Sequence, residues 1–141
     1  MDPVRHARLP LFKHLLDSGE RRVRVSEHGK PSHTILRLLA RWESFSLLEA
    51  ELKTGRTHQI RVHCAHLDYP IAGDEKYGDF SINKHLAKNG LKRMFLHAWK
   101  IRFPHPANRT VVSLESPLPN ELKSFLHELS KLEKQDYGEK F

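Results

Sequence analysis

Arg56 and Arg61 stand five residues apart in Gly55-Arg56-Thr57-His58-Gln59-Ile60-Arg61-Val62-His63, where the pattern turns from strand to helix. A guanidinium keeps its charge at physiological pH and grips a carboxylate or a phosphate through two parallel hydrogen bonds. On the helix that follows, Ile60, Cys64 and Leu67 recur at i, i+4 and i+7 and predict one apolar stripe. Arg61 lies only about 100° around from Ile60, which places its charge at the margin of the core. A charge held there without a partner is costly. No acidic residue occurs between Lys53 and Leu67, so the partner comes from elsewhere in the chain, from another chain, or from a ligand.

The other reactive side chains nearby support less. His58, His63 and His66 share the helix but are spread too widely around it to act as three ligands on one face. No HExxH is present, so a zinc site finds no support and no metal is expected. A Ser-His-Asp hydrolase lacks the G-x-S-x-G that would present its nucleophile. Cys64 falls on the apolar stripe and reads as a small buried thiol.

The elements that position the two arginines follow from periodicity. Phe45 to Lys53 reads as a largely buried strand, Gly55 as the sharp turn after it, and Thr57 as the helix N-cap. Upstream, Arg21 to Ser26 alternates as a strand, and Ser32 to Trp42 is a second, so three β segments form a meander that feeds one helix. Leu9 to Asp17 is a short helix or an irregular apolar segment. Asp68 to Leu91 is rich in Gly, Pro, Asp and Asn and reads mainly as loop. Arg93 to Phe103 and Arg109 to Glu115 pair as a hairpin, the first strand apolar on both faces and therefore interior. Asn120 caps a final helix that aligns Leu122, Phe125, Leu126, Leu129 and Leu132, and the polar tail after it frays.

Of the chain's 141 residues, 24 are Lys or Arg and 17 Asp or Glu, a net charge of +7. Residues 1–66 carry 12 basic and 7 acidic side chains, residues 67–116 carry 8 and 5, and residues 117–141 carry 4 and 5. The surplus is thus confined to the part that holds the arginines, and such a field favours a polyanion. No apolar run is long enough to span a membrane. With a single cysteine there is no disulfide framework, which fits a cytoplasmic setting.

Three ordered blocks, GRTHQIRVH at 55–63, HLDYPIAGDEKYG at 66–78 and RMFLHAWKIRFPHP at 93–106, resemble the C-terminal part of the RluA-type family of RNA pseudouridine synthases, most closely its large-subunit ribosomal RNA branch. The likeness extends upstream through RRVRVSEHGKPSHT at 21–34 and downstream to SPLPNELKSFL at 116–126, about three quarters of the chain. It implies an α+β domain with a mixed, largely antiparallel sheet and few helices: residues 1–20 of uncertain structure, 21–132 the C-terminal part of the catalytic domain, and 133–141 a polar tail. The family's catalytic aspartate stands in an HRLD-type motif, with its tyrosine on a strand soon after, and neither motif occurs here. Exposed apolar strand edges are expected in consequence.

The resemblance assigns roles residue by residue. Arg61 matches the arginine that pairs with the catalytic aspartate, so its partner is expected outside this chain. Leu96 matches the leucine that packs against the flipped base, in keeping with the extrusion that base-modifying enzymes require. Arg56 is expected as a phosphate contact or a brace for the neighbouring strand. Gln59 and His58 are expected as contacts to RNA or to the loop at 71–78. Gly73-Asp74 and Tyr77-Gly78 are expected to frame the site. The implied reaction is a cofactor-free conversion of uridine to pseudouridine in ribosomal RNA, with no activity expected of this chain alone. The implied partners are RNA and an N-terminal half of the enzyme. The other reading is a non-catalytic RNA-binding module, or one subunit of a split synthase.

Overall fold

The computed structural model describes residues 2–141. Five strands come first: Val4–Ala7 (β1), Leu11–Leu15 (β2), Arg21–Val25 (β3), Thr34–Arg41 (β4) and Ser46–Leu52 (β5). The helices Gln59–His66 (α1) and Phe80–Lys88 (α2) follow, then the strands Lys100–Pro104 (β6) and Val111–Glu115 (β7). Helix Asn120–Leu132 (α3) and the short strand Tyr137–Gly138 (β8) complete the chain. Among the described residues, three helices and antiparallel pairings throughout make this an α+β architecture, as the family resemblance implied.

The central strand is β4. It pairs with β5 along one edge, and with β1 and β8 along the other. Thr34, Ile35, Leu36, Leu38 and Ala40 are all buried, which includes both faces, as an interior strand requires. Helix α3 buries Leu122, Leu126 and Leu129 at i, i+4 and i+7, the last two against this sheet. Leu126 and Leu129 meet Ala40 and Trp42, and the Trp42 indole nitrogen donates to Ser130 Oγ at 3.0 Å. Truncating one of these leucines to alanine costs about 2–5 kcal/mol. A second cluster, Leu11, Val23 and Val62, joins the β2–β3 hairpin to α1.

Several expectations are corrected. β3 does not continue into a meander with β4. It folds back on β2 across a turn at Gly19, so the segment at 9–17 holds the strand Leu11–Leu15 and no helix. A local hairpin closes a shorter loop than a partner beyond His28 would. Within Asp68 to Leu91, Asp79 accepts the amide of Ile82 and starts α2, whose Leu86 is buried with Leu91 and Leu122. Residues 93–99 are irregular, and β6 begins only at Lys100. Neither Thr57 nor Asn120 caps its helix: His58 and Pro119 occupy those positions, and neither makes a side-chain cap bond.

The tail does not fray. Gln135 is buried, Asp136 pairs with Arg41 at 2.9 Å, and Tyr137 and Gly138 join β4. Gly138 has φ 87° and its Cα faces the Leu39 carbonyl so closely that a Cβ has no room there. Hydropathy alone hides such a return, because the strand is only two residues long and made by backbone.

Candidate functional site

The strand-to-helix turn is held by one buried amide. Gln59 Oε1 accepts from Thr54 Oγ1 at 2.7 Å and from the Arg56 amide at 3.0 Å. Its Nε2 donates to the His33 carbonyl at 3.0 Å and to Thr34 Oγ1 at 2.9 Å. Those four bonds exhaust the capacity of a glutamine side chain. Gln59, expected as a contact to RNA or to the loop at 71–78, is therefore turned inward at 3% exposure, where it welds β4, β5 and α1 together.

The network continues deeper. Having accepted from Gln59, the Thr34 hydroxyl donates to His63 Nδ1 at 2.8 Å, and His63 Nε2 donates to the Leu9 carbonyl at 2.9 Å. Both ring nitrogens are thus used by a neutral imidazole with its proton on Nε2. Burial holds His63 below the ordinary histidine range. The buried stripe of α1 is consequently Gln59, Val62, His63 and Cys64, displaced from the Ile60, Cys64 and Leu67 stripe read by hydropathy. Two polar residues are drawn inward because Thr34 and two carbonyls wait for them.

Arg61 finds its partner within the chain. Its Nε lies 2.9 Å from Asp74 Oδ2, and its Nη2 lies 2.8 Å from Oδ1. Asp74 is 1% exposed, and Oδ1 also accepts the amides of Lys76 at 2.9 Å and Tyr77 at 3.1 Å. Burial by itself would raise this carboxyl. The Arg61 fork and the two amides together outweigh it and hold Asp74 below the usual carboxylate range. Of the three sources open to its partner, the structure supplies one elsewhere in the chain. Thirteen residues separate the two, and only the turn at 71–78 brings them together.

That turn also supplies Tyr77. Its hydroxyl accepts the Val23 amide at 3.1 Å and lies 2.9 Å from His58 Nδ1. The guanidinium carbons of Arg61 and Arg22 stand 5.1 and 5.5 Å from the ring centroid. His58 has φ 53°, a left-handed conformation that aims its ring at this tyrosine. Burial, and then the Arg61 and Lys76 charges, keep His58 below its ordinary value, so the neutral ring accepts a hydrogen bond from the phenol hydroxyl. Of the two contacts offered for His58, the structure makes the one to the loop.

Arg56 is exposed. Its Nε donates to the Pro31 carbonyl at 3.1 Å, and its terminal nitrogens have no partner among the described residues. Leu96 is half-buried in the irregular segment at 93–99. The neighbouring Phe95 amide donates to the Ala72 carbonyl at 2.8 Å, which ties that segment to the turn carrying Asp74. His97 Nε2 lies 2.9 Å from the Ser116 carbonyl, a structural bond.

Sequence reasoning named the two arginines and the turn at 71–78, but read residues 93–99 as part of an interior strand, where the chain is irregular. It missed the Arg61–Asp74 pair and the Thr34–His63 link. The signal for the first was present, since Asp74 lies in the GDEKYG block already named as framing the site.

Comparison with known proteins adds independent findings. Residues 11–66 match the family described as RNA pseudouridylate synthase. The chain is 49% identical over 117 residues to the ribosomal large subunit pseudouridine synthase C of Pasteurella multocida, covering 83% of this chain and 36% of that protein. The enzymes of the same name from Yersinia pestis and Escherichia coli K12 are 46% and 44% identical, over 86% and 89% of this chain and 38% and 40% of theirs. The chain thus spans well under half the length of these relatives. Among solved structures, human RNA pseudouridylate synthase domain containing 1 superposes with a TM-score of 0.74 at 26% identity, covering 99% of this chain and 56% of that one. The human domain containing 4 shares the fold, with a TM-score of 0.69.

Proposed function

This chain belongs to the RNA pseudouridine synthase family, and on that premise we propose that it acts in the isomerisation of uridine to pseudouridine in large-subunit ribosomal RNA, in the cytoplasm. In that reaction the N-glycosidic bond breaks, the uracil turns, and C5 is joined to the sugar. The observation that carries the proposal is the turn at 55–61. Here a fully satisfied Gln59 presents Arg56 to solvent, while the Asp74 carboxylate aligns Arg61.

The residues divide by what they can still bind. Arg56 has free donors for an anion, whether an RNA phosphate or the reacting carboxylate of an HRLD-type segment, which this sequence does not contain. Arg61 has given Nε and one terminal nitrogen to Asp74. It keeps its remaining terminal nitrogen for a second carboxylate and otherwise positions the turn at 71–78. Leu96, tethered to the same turn through Phe95, is the apolar surface for an extruded base. His58 acts through Tyr77.

The test is a mass-spectrometric pseudouridine assay on large-subunit ribosomal RNA, with this chain alone and with an added polypeptide that carries the HRLD-type segment of a relative. Turnover only in the combined sample supports the proposal. RNA binding without turnover in either sample would replace it with a non-catalytic RNA-binding module.

A further inference from the structure

A groove of about 420 Å³ opens between the β2–β3 hairpin and the turn that precedes α1. Its walls are set by backbone. Leu11 donates to the Lys30 carbonyl at 2.9 Å and accepts from the Lys30 amide at 2.8 Å, so the turn at 28–30 is laid directly on β2. Gly29 makes this possible, because its Cα rests against the Leu11 backbone with no space for a side chain. Lys13, two residues beyond Leu11 on the same face of β2, then stands on the same groove as Lys30. Arg56 completes the rim, pinned through Nε to the Pro31 carbonyl, next in sequence to Lys30.

Three cations are therefore collected on one opening, and none of them takes part in an ion pair among the described residues. No carboxylate lines the groove. Like charges gathered without counter-charge repel one another, and an anion in the groove relieves that repulsion. Buried Leu11 and Val23 lie at the base of the groove. A smaller recess lined by Lys13, Arg22, Thr57 and His58 continues the path towards Tyr77. There the Arg22 Nε is buried and has no hydrogen-bond partner. Three unpaired cations around one open groove match the phosphates of a nucleic-acid strand.

We infer that this groove is a binding track for single-stranded RNA, with Lys13, Lys30 and Arg56 on successive phosphates. The inference rests on the RNA reading above and gives it a location. The track leads along β2 and the turn at 55–57 to His58, so RNA held in it is guided towards the Arg61–Asp74 turn.

The test uses the whole chain and a fluorescent oligouridylate of about twelve nucleotides, a length within the range such surfaces hold. Anisotropy titrations between about 50 and 200 mM salt give both affinity and salt slope. The double variant Lys13→Gln with Lys30→Gln is compared with Lys100→Gln with Arg102→Gln, which removes equal charge from the β6–β7 hairpin. The groove variant is expected to bind at least about tenfold more weakly and to lower the slope by about 1.4, twice the single-strand value per phosphate contact. The hairpin variant keeps most of both. Equal losses in the two variants, or none in the groove variant while the parent binds with a steep salt dependence, overturn the groove and leave the RNA reading intact. Failure of the parent to bind overturns both. A duplex of equal length that binds as tightly as the oligouridylate overturns the single-strand assignment.

Discussion

The Arg61 guanidinium and the Asp74 carboxylate face each other edge to edge, with bonds of 2.9 and 2.8 Å, and the carboxylate is sealed at 1% exposure. The pair joins α1 to the turn at 71–78, and that turn in turn braces β3 through Tyr77. An arginine placed by sequence at the core margin thus becomes the hinge pin between three elements.

Arg61→Ala leaves Asp74 buried without its fork and is expected to destabilise the chain by about 3 kcal/mol, within the range for breaking such a pair. Arg61→Lys recovers only part of this, because an ammonium cannot meet both oxygens in the same plane. Urea unfolding of the three proteins measures it. Equal midpoints for Arg61→Ala and the parent would show that the pair contributes nothing.

Thr34→Val keeps the shape of the side chain and removes the hydroxyl between Gln59 and His63. Two buried polar atoms lose partners, at about 1–3 kcal/mol each. The substitution should also remove the hydrogen bond that fixes the His63 ring, which nitrogen chemical shifts of the imidazole will report.

Stability should fall on acidification in two stages. His63 sits below its ordinary value, so as pH drops through about 6.5 the unfolded chain takes up a proton that the folded chain refuses. Asp74 is depressed, so the stability it contributes is complete at neutral pH and is lost as pH falls through its folded value. Thermal unfolding between about pH 8 and pH 2 follows both stages, and Asp74→Asn should flatten the lower one while lowering stability at neutral pH.

Burial pushes the Cys64 thiol up to about 11, so at neutral pH it is protonated and enclosed. A thiol-specific reagent should label it slowly in the native chain and fast in denaturant. Native labelling as fast as that of a free cysteine would mean that α1 opens readily from β3 and β4.

On the β6–β7 hairpin, Ile101 pairs with Leu114 across the strands, and the two are 58% and 55% exposed. Phe103, on the same face, extends this uncovered surface. Apolar surface of this kind drives association. The chain should sediment increasingly as oligomers as its concentration rises, and Ile101→Lys with Leu114→Glu should shift it towards monomer.

Much of this was legible along the chain because it depends on short-range order. Alternation located β3, β4 and β5, the spacing of Leu122, Leu126 and Leu129 located α3, and the basic turn at 55–61 announced an anion. The pairing choices were not legible. β3 turned to β2 and β8 closed on β4 through backbone bonds, which carry no side-chain signature. The inward face of α1 was set by Thr34, His33 and Leu9 from distant segments, so two polar side chains displaced the apolar stripe that hydropathy indicates. Sequence alone determined that Arg61 needs a counter-charge, because a guanidinium at a core margin cannot stand unpaired. That the counter-charge is Asp74, and that Arg56 remains open to an anion, was decided by the tertiary structure, since only the folded turn at 71–78 brings that carboxylate within bonding distance.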